Sequence, residues 1–91
     1  MAVYLVTYDL RHKPEKDYEP LLKYIKEHNW AKLSESSYAI VSAQTPQTIF
    51  TALSNLIHAD DHLLVITLTR PYAGRNNKDV IAWLASNLGS P

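Results

Sequence analysis

Two runs of β-branched and aromatic residues constrain this chain most: Ala2-Val3-Tyr4-Leu5-Val6-Thr7-Tyr8-Asp9 near its start, and His62-Leu63-Leu64-Val65-Ile66-Thr67-Leu68 further on. In both, odd and even positions alike are largely apolar, so each strand asks for cover on two faces and reads as a buried, interior strand. A chain of 91 residues has room for one domain and buries only about 60–65% of its unfolded surface. The cover must therefore come from a few short elements packed in order around these two runs, or from a partner.

Those elements can be read between the runs. Residues 10–16 are polar and broken by Pro14, after which Asp17 is placed to cap a helix that tolerates Pro20 in its first turn. Tyr18, Leu21, Leu22 and Ile25 mark its apolar face, with Glu19, Lys23 and Glu27 on the solvated side. Two short strands, 30–33 and 38–43, are separated by Ser34-Glu35-Ser36-Ser37, a hairpin length. Thr45-Pro46 opens a second helix whose face is Ile49, Phe50, Leu53, Leu56 and Ile57. Asp60-Asp61 turns into the second long strand. After a polar loop over 70–79, Val80, Ile81, Leu84 and Leu88 recur at helical spacing until Gly89 stops them.

The order is β-α-β-β-α-β with an added C-terminal helix. It predicts an α+β, ferredoxin-like sandwich with a four-stranded antiparallel sheet, two helices on one face, and the third helix packed at an edge or end. A single domain spans 1–91, with its core over about 2–69 and the loop and helix at 70–91. Two helices cover one sheet face only, so the apolar residues on the other predict either a homodimer or a C-terminal helix folded across it with Trp83.

Composition narrows the chemistry. Nine basic residues balance nine acidic ones, so any nucleic-acid contact must come from a local patch and not from a global field. With no cysteine, thiolate–metal sites, disulfides and thiol nucleophiles are excluded, and a cytoplasmic setting fits. Met1 leads straight into the first strand without a basic n-region, and no apolar run reaches the roughly 20 residues of a membrane span. The only glycines, Gly74 and Gly89, are isolated, so no phosphate loop and no organic cofactor is expected. Ser34, Ser36 and Ser37 lack a nucleophile elbow, and the four histidines lack metalloprotease spacing.

Four stretches carry a family resemblance: Tyr8-Asp9-Leu10 ending the first strand, Leu33-Ser34-Glu35-Ser36-Ser37-Tyr38 in the hairpin, 53–57 ending the second helix, and Asp60-Asp61-His62-Leu63-Leu64-Val65 entering the last strand. Over roughly residues 2–69 the chain resembles the small CRISPR-associated adaptation nuclease, the second Cas protein, and its relatives including virulence-associated protein D. In that family the aspartate ending the first strand lies beside a twofold axis, and the two carboxylates are proposed to hold a divalent metal for phosphodiester hydrolysis. Asp9 is the matching position. The resemblance thus implies a homodimer, a nucleic-acid partner, and Mg²⁺ or Mn²⁺ at Asp9. The family continues with a further strand that completes the partner's sheet, where this chain has the loop 70–75 and a helix.

Read from residues alone, Asp9 is either this catalytic and metal-binding group or a turn residue accepting hydrogen bonds from the Arg11-His12 turn. Two basic clusters flank the long strands, Arg11 and Lys13 (with His12 and Lys16) after the first and Arg70 and Arg75 after the last. If both loops converge near Asp9, Arg11, Lys13, Arg70 and Arg75 form a phosphate-binding rim; otherwise they are two solvated loops. Tyr4, Tyr8, Tyr38 and Tyr72 could stack bases or pack within the sheet. The competing functional reading is a non-catalytic interaction module, or a toxin–antitoxin-like component, on the same dimeric fold.

Overall fold

A computed structural model describes residues 1–11 and 18–90. The elements follow the expected order: β1 (Ala2–Asp9), α1 (Glu19–Lys26), β2 (Asn29–Ser34), β3 (Ser37–Ser42), α2 (Pro46–Ser54), β4 (His62–Leu68) and α3 (Lys78–Asn87). The four strands form one antiparallel sheet in the order β2-β3-β1-β4. β1 is an interior strand, as its two apolar faces require. β4 lies at an edge and not inside the sheet; its apolar pattern reports what its faces could bury, not how many strands flank it.

The even-numbered face of β1 carries the main core. Tyr4 and Val6 pack with Tyr38 and Ile40 of β3 beneath Leu21 and Ile25 of α1 and Ile49 and Leu53 of α2. Each of these side chains is at least 95% removed from solvent, which at roughly 25 cal/mol per Å² of apolar surface makes this layer the principal stabilising term. Tyr4 and Tyr38 are thus core residues and not a base-stacking platform, the Tyr4 hydroxyl donating to the Gln44 carbonyl at 2.7 Å.

α2 begins as its sequence demands: Thr45 caps it, accepting the Thr48 N–H, with Pro46 in the first turn. It ends at Ser54, earlier than the apolar spacing suggests. The Ser54 hydroxyl donates to the Thr51 carbonyl, and Asn55 takes the C-cap, polar side chains that compete with continued helix. Leu56 and Ile57 still pack on the core from the following turn. α1 starts at Glu19 with Tyr18 at the N-cap and a proline in its first turn; Asp17, the expected cap, lies outside the described residues.

α3 lies across the second sheet face with Trp83, the second of the two covers expected for that face, and not at an edge or end. Trp83, Leu84 and Leu88 pack with Val3, Ala39, Val41, Leu33 and Leu68. A polar seam fixes it over β2: the Trp83 indole N–H donates to Asn29 Oδ1 at 2.8 Å, and the Asn29 amide donates to Asn87 Oδ1 at 2.9 Å. Asn76 closes the seam by donating to the Leu33 carbonyl at 3.0 Å. This cover reaches β4 only at Leu68, and Leu64 and Ile66 remain 60% and 44% exposed.

Candidate functional site around Asp9

Asp9 closes β1 opposite His62, the first residue of β4. Strand alternation puts it on the face of Leu5 and Thr7, away from α1 and α2. Its carboxylate is 70% exposed, and Oδ2 lies 3.9 Å from both the Arg11 guanidinium and His62 Nδ1. Pairs this long and this exposed are largely screened by water, so the carboxylate is held loosely and stays accessible.

Of the Arg11-His12 turn, the Arg11 N–H is taken by Asp61, and His12 lies outside the described residues. Asp61 Oδ1 accepts the Arg11 backbone N–H at 2.6 Å and its Oδ2 accepts the His58 N–H at 2.9 Å, while its own N–H donates to the His58 carbonyl. One carboxylate thereby ties the exit of β1 to the turn that enters β4. His62 beside Asp9 was not singled out from the sequence, although antiparallel pairing of the two long runs necessarily sets the start of one against the end of the other.

The same antiparallel pairing separates the basic residues. Val3 is registered with Leu68 at one end and Asp9 with His62 at the other, about 20 Å apart at a rise of roughly 3.3 Å per residue. Arg11 is at the Asp9 end. Arg70 follows the far end of β4, where its N–H donates to the Gly89 carbonyl at 2.9 Å and its guanidinium to the Ala85 carbonyl of α3. Arg75 lies in the exposed loop before α3, and Lys13 lies outside the described residues. Arg70 therefore does not converge on Asp9, because the exits of antiparallel neighbours point to opposite ends of a sheet; Arg75 precedes Asn76, whose bond to the Leu33 carbonyl brings the loop back to the Asp9 end at the β2 edge, with β3 between β2 and β1.

Behind Asp9, a cavity of about 790 Å³ is lined by Tyr8, Leu10, Leu22, Lys32, Glu35 and Tyr38, among others. The Tyr8 ring stacks on Tyr38 with centroids 6.5 Å apart, and its hydroxyl donates to the Glu35 carbonyl at 3.3 Å. Burial first, then Tyr38 and the Glu35 carboxylate, pushes the Tyr8 phenol up to about 12, so it stays a neutral donor. Lys32 is held charged by its 3.2 Å bond to Glu35.

Among the described residues no three His, Asp or Glu side chains group as a metal cage. A single hard carboxylate does suit Mg²⁺ or Mn²⁺, ions that keep several waters and are commonly held through one or two carboxylates plus phosphate oxygens of the substrate. None of the described helices is long and apolar enough to cross a membrane. No family model, curated protein or solved structure matches the chain.

Proposed function

We propose that this chain is a small, homodimeric, nucleic-acid-associated protein on a ferredoxin-like fold, similar to the CRISPR-associated adaptation nucleases and virulence-associated protein D, with weak divalent-metal-dependent phosphodiester cleavage at Asp9. The strand order β2-β3-β1-β4 with α1 and α2 on one face supports the fold reading. The observation that carries the functional reading is the division of labour between two carboxylates. Asp61 accepts the Arg11 and His58 backbone N–H groups, while Asp9, at the end of an interior strand, has only loose pairs among the described residues.

In this reading Asp9 is a ligand to Mg²⁺ or Mn²⁺, and Arg11 contacts a phosphate beside it. When bound, the ion would activate a water for attack and offset charge on the phosphate. Arg11, 3.9 Å from the Asp9 carboxylate, is placed to steer the backbone of a nucleic acid toward it. Lys13 belongs to the same proposed contact set by its place in sequence. Arg70 would contact a phosphate only on a ligand long enough to span the sheet, and Arg75 one that crosses from β1 toward the β2 edge.

The position of Arg70 at the far end of β4, held to the Gly89 and Ala85 carbonyls, favours a second reading, the non-catalytic interaction module or toxin–antitoxin-like component, in which Asp9 does no chemistry. Mn²⁺ binding followed by electron paramagnetic resonance separates the two. The first reading expects loss of the free Mn²⁺ signal on titration with wild type and none with Asp9→Asn; equal binding by both proteins would remove Asp9 from the metal role.

A further inference from the structure

The two edges of the sheet are built differently. β2, at one edge, carries the charged Lys32, a register irregularity between Lys32 and Ser34, and the Asn76 side chain bonded to the Leu33 carbonyl. Charges, bulges and covering groups are the devices that keep an edge strand from pairing with another chain. β4, at the other edge, has none of them among the described residues. His62–Leu68 contains no proline and no Asp, Glu, Lys or Arg, and its register with β1 runs unbroken over seven residue pairs.

Exposed apolar side chains flank this same edge on both sides. Leu64 and Ile66 stand out on the α3 face, and Phe50 of α2 is 39% exposed across a groove shared with Leu63 and Leu64. β4 thus has the composition of an interior strand in an edge position.

We infer that β4 pairs antiparallel with β4 of a second copy about a twofold axis at Val65, joining two sheets into one of eight strands. The hydrogen-bonding phase supports this centre. The Tyr8 N–H donates to Ser36 on the β3 side, so the even-numbered residues of β1 face β3 and the odd-numbered ones face β4. Their β4 partners Leu64 and Ile66 then spend their backbone groups on β1, and Leu63, Val65 and Thr67 direct theirs outward. A twofold at Val65 sets Val65 against itself and Leu63 against Thr67, all outward-facing, and lays Leu64 against Ile66 of the other copy. No like charges meet along the seam, which selects a second copy over a charged peptide.

A strand about 23 Å long with one flanking row on each face buries less than the roughly 800 Å² per partner of a standard interface. Association in the micromolar range follows. The inference takes the homodimer of the proposed reading as its premise, and it leaves the two Asp9 residues at opposite ends of the joined sheet, each serving its own protomer.

Because the chain has no cysteine, single cysteines test the geometry directly. Opposed Val65 Cα atoms at about 5.5 Å are within disulfide range, so Val65→Cys should cross-link to itself under glutathione oxidation, with circular dichroism confirming the fold. Leu5→Cys, on the α3 face of β1, should not. Leu64→Lys, at a largely exposed site, should raise the dissociation constant at least tenfold in sedimentation equilibrium without unfolding the protomer. A wild type that stays monomeric at 200 μM, or cross-linking through Leu5→Cys and not Val65→Cys, would overturn the inference. Asp9→Asn should leave the Val65→Cys cross-link unchanged, so failure of the metal reading and failure of this one are told apart.

Discussion

Asp61 accepts the backbone N–H of Arg11 at 2.6 Å, across fifty positions of sequence. Through its other oxygen it also holds the His58 N–H, so a single side chain locks the β1 exit to the β4 entry and positions the residues flanking Asp9.

Removing that lock should cost stability. Asp61→Ala takes away an ionised acceptor from two backbone donors, and the expected loss is about 2 kcal/mol. For a domain of this size that lowers the melting temperature by roughly 10 °C. Differential scanning calorimetry checks it, and a shift under 2 °C would show the bonds to be incidental.

The helix on the second face depends on a polar seam as well as on packing. Trp83→Phe keeps most of the ring contact but loses the indole donor to Asn29, at about 1 kcal/mol. Amide exchange across α3 should accelerate about fivefold while the β1 and β3 amides stay protected. Uniform acceleration over the whole chain would instead mean that α3 opens only with global unfolding.

Alkaline pH should weaken the fold through Tyr8. Its folded pKa is raised from 10.0 to about 12, so above pH 10 the unfolded chain releases a proton that the folded chain keeps. The stabilisation is full below pH 10 and falls as pH climbs toward 12. Tyr24, raised by burial, and Lys32, raised by its bond to Glu35, act in the same direction. Denaturant midpoints measured from pH 8 to 11.5 should decline, and less steeply in Tyr8→Phe. An unchanged slope in that variant would clear Tyr8 of the effect.

The buried helix faces should respond as core. Leu53→Ala empties a fully buried site beneath α2 and should cost 2–5 kcal/mol, whereas Thr45→Ala at the cap should cost about 1 kcal/mol. Urea titration ranks them, and a reversed order would place the core elsewhere.

The main core was legible in the sequence because periodicity alone sorts Tyr4, Val6, Leu21, Ile25, Ile49 and Leu53 onto facing surfaces. The edge position of β4 was not legible, since Leu63 to Leu68 would read the same with a strand on one side or on both. Asp9 could be found as a carboxylate where a strand ends. That Asp61 would take the Arg11 N–H depends on a contact across fifty residues, which no local pattern carries. The separation of Arg70 from Asp9 was implicit in antiparallel pairing, because neighbours running in opposite directions cannot leave the sheet at the same end.

The most direct test is cleavage of labelled single-stranded and duplex oligonucleotides in Mn²⁺ by wild type and Asp9→Asn, with melting temperatures measured alongside. The account predicts slow, chelator-sensitive cleavage by wild type and its loss in Asp9→Asn, with melting temperatures within about 2 °C because a carboxylate this exposed stabilises little. Metal-dependent cleavage that persists in Asp9→Asn would contradict it, as would a wild type that cleaves nothing.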